Sequence, residues 1–562
     1  MPQATLSAAR LFDGAVPPTA DGLKELLFGT KAELADWTDD QLRIEATADR
    51  LDLLTEGGLR AALAPLLPGL PPPVRRGPPG PDHGVRIDVD PSVAPLRPAI
   101  GAVLVTAPAG RPLDAGLLDE AVRFQELLHA TVGGGRRLAS LGLYPIDRAT
   151  PPLRYALAPV GSIAFEPLDG GGTVDAATFY ARHPLAQAYG AWGRAGDACL
   201  VLADSAGGVL SLPPVLNARP LGAAAPGDAR LLLESTGLLE ARVVDALGLL
   251  SLVFVARGWG IRPVPVVRGD RVDPGTAATE PRALPLTEPA IRAVLGGAIP
   301  APEVEALLGR AGLSARPHPG GGWSVAVPPW RPDLLAEVDL VEEILVARGI
   351  TADEGLLPPS PTRGARRPET RFRRRVGTLL LGLGYVPIAT PTLVDAALVG
   401  LLGRDRALEV ANPVSEKFAY LKDAVQVSLV GALGRNTRHG YPQRLQEVGP
   451  VIVADPSAEA GGTTRYHAGV VLASDRAGFA DGAAVVDYVL RALGTAGVRE
   501  PATIPGTIPG RAARVRLAGE TVAEVGELHP RVLADRSVPV PVAWAEIDLT
   551  SLWPLVARER TP

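Results

Sequence analysis

The stretch that most constrains the fold runs from Val327 to Ile350, VPPWRPDLLAEVDLVEEILVARGI. Proline fixes φ and has no N–H to give, so Pro332 belongs just before or at a first helical turn. Asp333 behind it suits an N-cap, its carboxylate accepting from free N–H groups. Leu334, Leu335, Val338, Val341, Ile344 and Leu345 then recur at three and four, which predicts one apolar helical face. Asp339, Glu342 and Glu343 are neighbours on another face. With Asp333 they make four acids at offsets 0, +6, +9 and +10. Like charges so placed repel unless something offsets them. A hard divalent cation such as Mg²⁺ would do so, held by carboxylates and waters. A solvated acidic face, or a face that docks an arginine of a partner, is the commoner answer to such spacing taken alone.

A second copy of part of this pattern lies near the N-terminus. RLDLL at Arg50 echoes RPDLL at Arg331, inside RIEATADRLDLLTEGGLRAAL. Ile44, Ala46 and Ala48 alternate like a strand, and an amphipathic helix is expected from about Asp52. Gly58, Ala61 and Ala62 stand where the later copy has its three following acids, so the first copy is no metal site. A proline- and glycine-rich linker over Pro68–Pro81 ends this part.

Further along, RFQELLHATVGGGRRLASLGLYPIDRATPPLRY predicts an amphipathic helix through His129, a glycine break and strands around Leu141 and Tyr155. No acid or nucleophile pairs locally with His129, so a capping or core role is expected for it. LVLADSAGGVLSLPPVLN and LLLESTG are strand-like. LTEPAIRAVLGGAIPAPEVEALLGRAGLSARPHPGGGWSVAVPPW predicts a strand, a helix over Ala301–Gly312, a glycine turn and a strand from Trp323. After a loop, Thr351–Arg363, the charge changes sharply. Arg363, Arg366, Arg367, Arg371, Arg373, Arg374 and Arg375 precede an apolar helix and are the best phosphate-binding candidates in the chain.

Composition narrows the setting. The single cysteine, Cys199, excludes a disulfide framework and suits a reducing compartment. The N-terminus lacks a charged start followed by an apolar run, and the most apolar stretch, Ala246–Ala256, is too short to span a bilayer. A cytoplasmic protein without a membrane partner is expected. Net charge is −5, with only four lysines among 56 basic residues, so nucleic-acid contact must come from local patches.

Arg-Pro-Asp, an aspartate three residues before Glu-Glu and the closing glycine are together similar to the tRNA-binding-fold domain of phenylalanyl-tRNA synthetase beta subunits. The helix–glycine–strand segment through His129, the Ser-x-Pro-Pro strand and the acidic-x-Thr-Gly strand resemble the editing domain of the archaeal and eukaryotic type. LGLGYVPIATPTLVD, ANPVSEKFAYLKDAV, RNTRHGYPQRLQEVG and GELHPRVL resemble the catalytic-like module, in family order. The resemblance implies Mg²⁺ ligands at Asp333, Asp339, Glu342 and Glu343. It also implies an editing pocket at Ser211, Glu234 and Thr236, with Leu202 as an apolar wall. Departures at Asp49, Leu51, Pro145, Lys422 and Gln446 mark a divergent member.

The fold expected is α+β multidomain. It comprises an N-terminal α/β unit (1–84), a mixed α/β editing domain (85–270), a small winged-helix-like domain with the metal site (283–352), and a class II synthetase-like antiparallel sheet with flanking helices (366–562). The last shows no phosphate-cradling glycine loop and no class II arginine pattern, so it is expected to lack catalysis. The resemblance implies an (αβ)₂ heterotetramer. In it the alpha subunit uses ATP to attach phenylalanine to tRNA, while beta supports it, contacts tRNA and hydrolyses mischarged tyrosyl-tRNA. Tyrosine adds only a hydroxyl to phenylalanine, and apolar pockets reject that addition poorly, so a second site must read the phenol with buried polar groups. No Ser-His-Asp arrangement is readable, so ester cleavage would use a positioned water. Two other classes stay open: a stand-alone paralogue that binds or hydrolyses aminoacyl-tRNA in another pathway, and a non-enzymatic nucleic-acid-binding or assembly scaffold.

Overall fold

A computed structural model describes residues 2–70, 84–349, 362–404 and 406–558. Most of the linker expected over Pro68–Pro81 and of the loop over Thr351–Arg363 lies outside the described residues. The chain divides into two compact units, Met1–Leu356 and Leu357–Pro562, each mixing helices and strands.

The first unit opens with a three-stranded antiparallel sheet in the order Gln3–Ser7, Gln41–Ala46, Ala32–Thr38. Ile44 and Ala46 are fully buried, as their alternation predicts. The helix that follows starts at Glu56, where the Thr55 hydroxyl accepts from the Gly58 N–H. The expected start at Asp52 is replaced by a 3₁₀ turn over Leu51–Leu54, because Asp52 is held by the Arg50 guanidinium in two 2.9 Å bonds.

Two sheets face each other in the middle of this unit. One has four antiparallel strands in the order Gly260–Pro263, Ala99–Thr106, Arg230–Gly237, Ala139–Pro145. The helices Ala115–Ala130 and Glu240–Val255 cover its outer side, where Leu231, Leu233 and Leu247 share one core. Its inner side meets a larger sheet that includes Ala198–Asp204, Val209–Leu212 and Leu153–Pro159. Ile100, Leu104, Tyr144 and Leu232 from the first sheet pack there against Tyr155, Leu202 and Leu210 from the second. With both faces covered, the strand RLLLESTG is buried on either side of its pleat. The apolar run after Ala246 is likewise a buried helix, and among the described residues no helix is long and apolar enough to cross a membrane.

The unit's last part is a three-stranded sheet (Arg282–Leu286, Trp323–Val327, Ser314–Pro317) with helices Glu288–Leu295, Ala301–Arg310 and Glu337–Arg348. The acidic helix starts at Glu337, three residues later than an N-cap at Asp333 would place it. Asp339 reaches back instead and accepts from the Leu335 and Ala336 N–H groups, each at 2.7 Å. That delay changes the helix phase. Leu334, Leu340, Val341 and Ile344 are buried, whereas Leu335 and Val338, expected on the same apolar face, are 75% and 54% exposed.

The second unit is built on a seven-stranded sheet in the order Val386–Pro387, Gln443–Ala454, Gly462–Ala473, Val542–Asp548, Glu520–Leu528, Thr507–Leu517, Val498–Pro501. Only the first pairing is parallel. Helices Pro368–Gly382 and Phe479–Ala492 cover one face and Val425–Arg435 the other, each over its own apolar core.

Candidate functional site

Strand periodicity puts Leu232, Glu234 and Thr236 on the inner face of the four-stranded sheet. Gly142 and Ser140 are their cross-strand neighbours, opposite Glu234 and Thr236 respectively. From the facing sheet come Leu202 and Ser211, which are themselves direct cross-strand partners. The sandwich thus brings Ser211 and Glu234 to one cavity of about 250 Å³. That is just below the roughly 300–1,000 Å³ of drug-sized pockets, so it suits an amino-acid-sized group. Leu202 and Thr236 do not line it: Leu202 lies in the apolar layer behind Ser211, and Thr236 lies behind Ser140.

The link between Ser211 and Glu234 is the phenol of Tyr144. Its Oη lies 2.9 Å from Ser211 Oγ and donates to Glu234 Oε2 at 2.9 Å. Gly142 makes room for it, since a Cβ there would overlap the Tyr144 ring. The other carboxylate oxygen, Glu234 Oε1, has no hydrogen-bond partner among the described residues. Burial pushes the Glu234 carboxyl up to about 7, opposed by the Tyr144 hydrogen bond, by the charge of Arg97 and by the neighbouring Thr236 hydroxyl.

Arg97 is fully buried and bonds only to neutral oxygens. Its Nε donates to Thr236 Oγ1 at 3.0 Å, and its terminal nitrogens donate to Thr236 O, Ser140 Oγ, Arg136 O and Arg137 O at 2.5–3.0 Å. Burial lowers it to about 10. Thr236 is therefore a fixed post, held from one side by a guanidinium and from the other by the Ser140 hydroxyl at 3.1 Å. His129 lines the cavity but is committed elsewhere. Nε2 accepts from the Leu141 N–H at 2.8 Å, a structural role as expected, but Nδ1 faces Glu126 three residues earlier at 3.2 Å, which corrects the expectation that no acid pairs locally with it. Glu126 also binds Arg136, which donates to Val215 O and stacks on Tyr189.

The four acids expected to hold magnesium are arranged differently. Asp333 accepts a fork from Arg331 (2.9 and 2.7 Å), and Glu343 meets the same guanidinium at 2.9 Å. Glu342 meets Lys31 at 2.9 Å, and Asp339 is occupied as the helix cap. Among the described residues no three acidic, His or Cys side chains come together as metal ligands. The residues present do not fit a four-carboxylate magnesium centre. The positive charge that the acidic spacing calls for is supplied by Arg331 and Lys31 of the chain itself, with Arg50 a further 4.0 Å from Glu343. A larger cavity, about 490 Å³, opens beside this network, but the charged groups Arg50, Asp52, Arg331 and Glu343 on its wall already pair with one another.

Comparison with known proteins gives the chain its relatives. Residues 284–350 match the tRNA synthetase B5 domain, and residues 355–549 match the phenylalanyl tRNA synthetase beta chain CLM domain. The phenylalanine–tRNA ligase beta subunit of Halobacterium salinarum is 30% identical, covering 95% of this chain and 96% of that one. The chain belongs to the phenylalanine–tRNA ligase beta-subunit family. The Haloarcula marismortui member is 28% identical over 95% of this chain and 96% of its own length. The crystal structure of an N-terminal fragment of the Pyrococcus horikoshii beta subunit shares the fold, with a TM-score of 0.55 at 23% identity. It covers 62% of this chain and 99% of that fragment.

Several departures from the family's pattern have a local account. Gln446 is buried with its amide donating to Gly377 O and Tyr385 O at 3.2 and 3.1 Å. Lys422 is buried against Glu447 at 2.7 Å and Thr390 at 3.0 Å. Pro145 ends its strand opposite Leu231 and is not part of the cavity wall. Arg97, Ser140 and Tyr144 are the site residues that sequence reasoning missed. Only the alternation Ser140–Gly142–Tyr144, in step with Glu234–Thr236, carried any signal of them.

Proposed function

We propose that the cavity at Ser211 and Glu234 is an editing site that takes the tyrosyl group of mischarged tyrosyl-tRNA and leads to its hydrolysis. The observation that carries this reading is the convergence of two buried polar side chains, from two facing sheets, on a cavity of amino-acid size. A phenol entering there finds an unpartnered carboxylate oxygen, Glu234 Oε1. A phenylalanyl ring leaves that oxygen unpaired, at a cost of about 1–3 kcal/mol. Ser211 is engaged by Tyr144, and His129 by Leu141 and Glu126, so neither forms a nucleophile–base pair. Hydrolysis would then use a water positioned against the ester, with Thr236 and Arg97 fixing the wall behind.

In the same proposal the protein acts beside an alpha subunit in an (αβ)₂ heterotetramer. ATP use and phenylalanine attachment belong to alpha, and the sheet unit after residue 366 serves as its non-catalytic, class II-like support. The arginines Arg363, Arg366, Arg367, Arg371, Arg373, Arg374 and Arg375 around the start of helix Pro368–Gly382, all exposed except the half-buried Arg373, are proposed to contact tRNA phosphates. The four-part division at 1–84, 85–270, 283–352 and 366–562 is kept as the working scheme. No step is assigned to a metal at the acidic helix.

The test is hydrolysis of tyrosyl- and phenylalanyl-tRNA by the purified protein, alone and with an alpha subunit. Release of tyrosine but not phenylalanine, lost in Glu234→Ala, supports editing. If neither ester is cleaved under either condition, the editing reading fails.

A further inference from the structure

We propose that Arg97 is a positioning residue for the editing cavity: from behind Thr236 it supplies the counter-charge that lets Glu234 face a ligand as an anion with one oxygen free. This rests on the editing reading above and deepens it.

A guanidinium keeps its charge at any ordinary pH, so burying one is costly unless an anion lies near. Arg97 is fully buried, yet its hydrogen bonds reach only neutral oxygens: Thr236 Oγ1 and O, Ser140 Oγ, and the carbonyls of Arg136 and Arg137. The carboxylate whose charge reaches it is Glu234, two residues before Thr236 on the same face of the same strand. Of the groups that act on Glu234, Arg97 is in turn the one full charge. The two thus form a charge pair with a threonine between them. That spacing has a use. A guanidinium forked straight onto Glu234 would fill the lone pairs a ligand needs, as Arg331 fills those of Asp333. Set back behind Thr236, Arg97 favours the anion and leaves Oε1 without a partner among the described residues.

An ionised carboxylate accepts from a phenol more strongly than a neutral carboxyl does, and is the worse one to leave unpaired against a phenyl ring. Discrimination between tyrosyl and phenylalanyl esters should therefore grow as Glu234 ionises, near pH 7. The groups around it hold their state through that range. Burial pushes Tyr144 and Tyr155 well above the usual phenol range, so both stay neutral. On the cavity wall burial lowers His129, which accepts from Leu141 in its neutral form. Glu126 is pulled down to about 2 by His129 and Arg136, and Arg136 pairs with it at 2.8 Å. Ser211 and Asn217, also on the wall, do not titrate. Glu120, itself raised to about 7, is bound by Arg257 and is not on that wall.

The experiment measures kcat/KM for hydrolysis of tyrosyl- and phenylalanyl-tRNA from about pH 6 to 8.5, with uncatalysed hydrolysis subtracted. The full-length protein is compared with Arg97→Gln, Arg97→Lys and Glu234→Gln. In the unaltered protein the tyrosyl-over-phenylalanyl ratio should rise with pH around 7, and Glu234→Gln should abolish the rise. Arg97→Gln removes the charge, so the midpoint should move up by about one pH unit, which lowers the ionised fraction and the ratio at pH 7 about fivefold. Arg97→Lys keeps a charge but not the fork, and its midpoint should stay within about half a unit of the unaltered one. A merely structural Arg97 would slow both esters and leave the midpoint of Arg97→Gln in place, which overturns the proposal. Equal upward shifts in Arg97→Gln and Arg97→Lys overturn it too. If Arg97→Gln does not fold, Arg97→Lys decides alone: a retained midpoint supports the counter-charge and loss of the rise overturns it. If the unaltered protein cleaves neither ester, the editing reading itself has failed. If it discriminates with a ratio that is flat in pH, only the role of Arg97 has failed.

Discussion

Arg331 supplies positive charge to the acidic helix through Asp333 and Glu343, and removing it tests that directly. The guanidinium and its partners Asp333 and Glu343 are all nearly inaccessible, at 3%, 6% and 3% side-chain exposure. Arg331→Met keeps much of the side-chain volume but strands two carboxylates, with only Lys31 and Arg50 nearby to offset Glu343. Breaking a buried ion pair by deleting one partner costs about 3–5 kcal/mol, because the surviving charge stays desolvated. In a unit running from Met1 to Leu356, at about 2.1 cal/mol/K of unfolding entropy per residue, a loss of 1 kcal/mol lowers Tm by about 1.3 °C, so the transition should fall by roughly 4–7 °C. The assay is thermal unfolding followed by far-UV circular dichroism, with and without millimolar MgCl₂. The unaltered protein should not respond to Mg²⁺ beyond the ionic-strength effect seen with NaCl. A loss of only 1–2 °C in Arg331→Met, or a specific Mg²⁺ stabilisation of the unaltered protein, would refute the view that the chain neutralises its own acidic helix.

Two further outcomes follow from buried charges. Glu234 is raised from 4.5 to about 7, so the folded protein holds a proton that the unfolded chain releases. Stability from this group is fully present below pH 4.5 and is lost as pH rises through about 7. It amounts to about 3 kcal/mol, and the gap in urea stability between Glu234→Gln and the unaltered protein should change by that much from pH 4 to 8. A flat difference refutes it; Glu120, also raised to about 7, contributes equally to both proteins and cancels. In the second unit, Lys422→Met strands Glu447, which is 4% exposed, and should cost about 3–5 kcal/mol in a urea titration, where a loss below 1 kcal/mol would show that Thr390 alone suffices.

Much of the architecture was legible because it is written locally. Alternation at Ile44 and Ala46, the apolar strand RLLLESTG and the helix over Ala301–Gly312 each follow from neighbours within a few residues. Ser211 and Glu234, assigned through family resemblance, do meet at one cavity, though Leu202 and Thr236 stand behind it. What could not be read is whatever depends on distant partners. Arg97 reaches Thr236 across 139 positions and Tyr144 reaches Glu234 across 90, and no spacing rule announces either. The acidic helix failed for a subtler reason. Asp333 is a good N-cap by type, but Arg331 captured its carboxylate, and Asp339, six residues on and in the first helical turn, took over the capping. An arginine two residues away was the docking arginine that the charge pattern allowed, supplied by the chain itself.

The echo between RLDLL and RPDLL gains a physical meaning from the same network. In each copy the arginine forks onto the aspartate two residues ahead, Arg50 onto Asp52 and Arg331 onto Asp333. Both guanidinium groups then turn toward Glu343, at 4.0 and 2.9 Å. An arginine already paired to its own aspartate carries little net charge outward, so two such forks can approach one carboxylate without strong mutual repulsion. The first copy, which has no acids at the positions matching Asp339, Glu342 and Glu343, therefore serves the acids of the second. This makes the local Arg-x-Asp fork the unit that is repeated, and the single Glu343 the point where the two repeats are joined. The acidic pattern that suggests a metal from sequence is, on this account, half of a protein–protein contact within one chain.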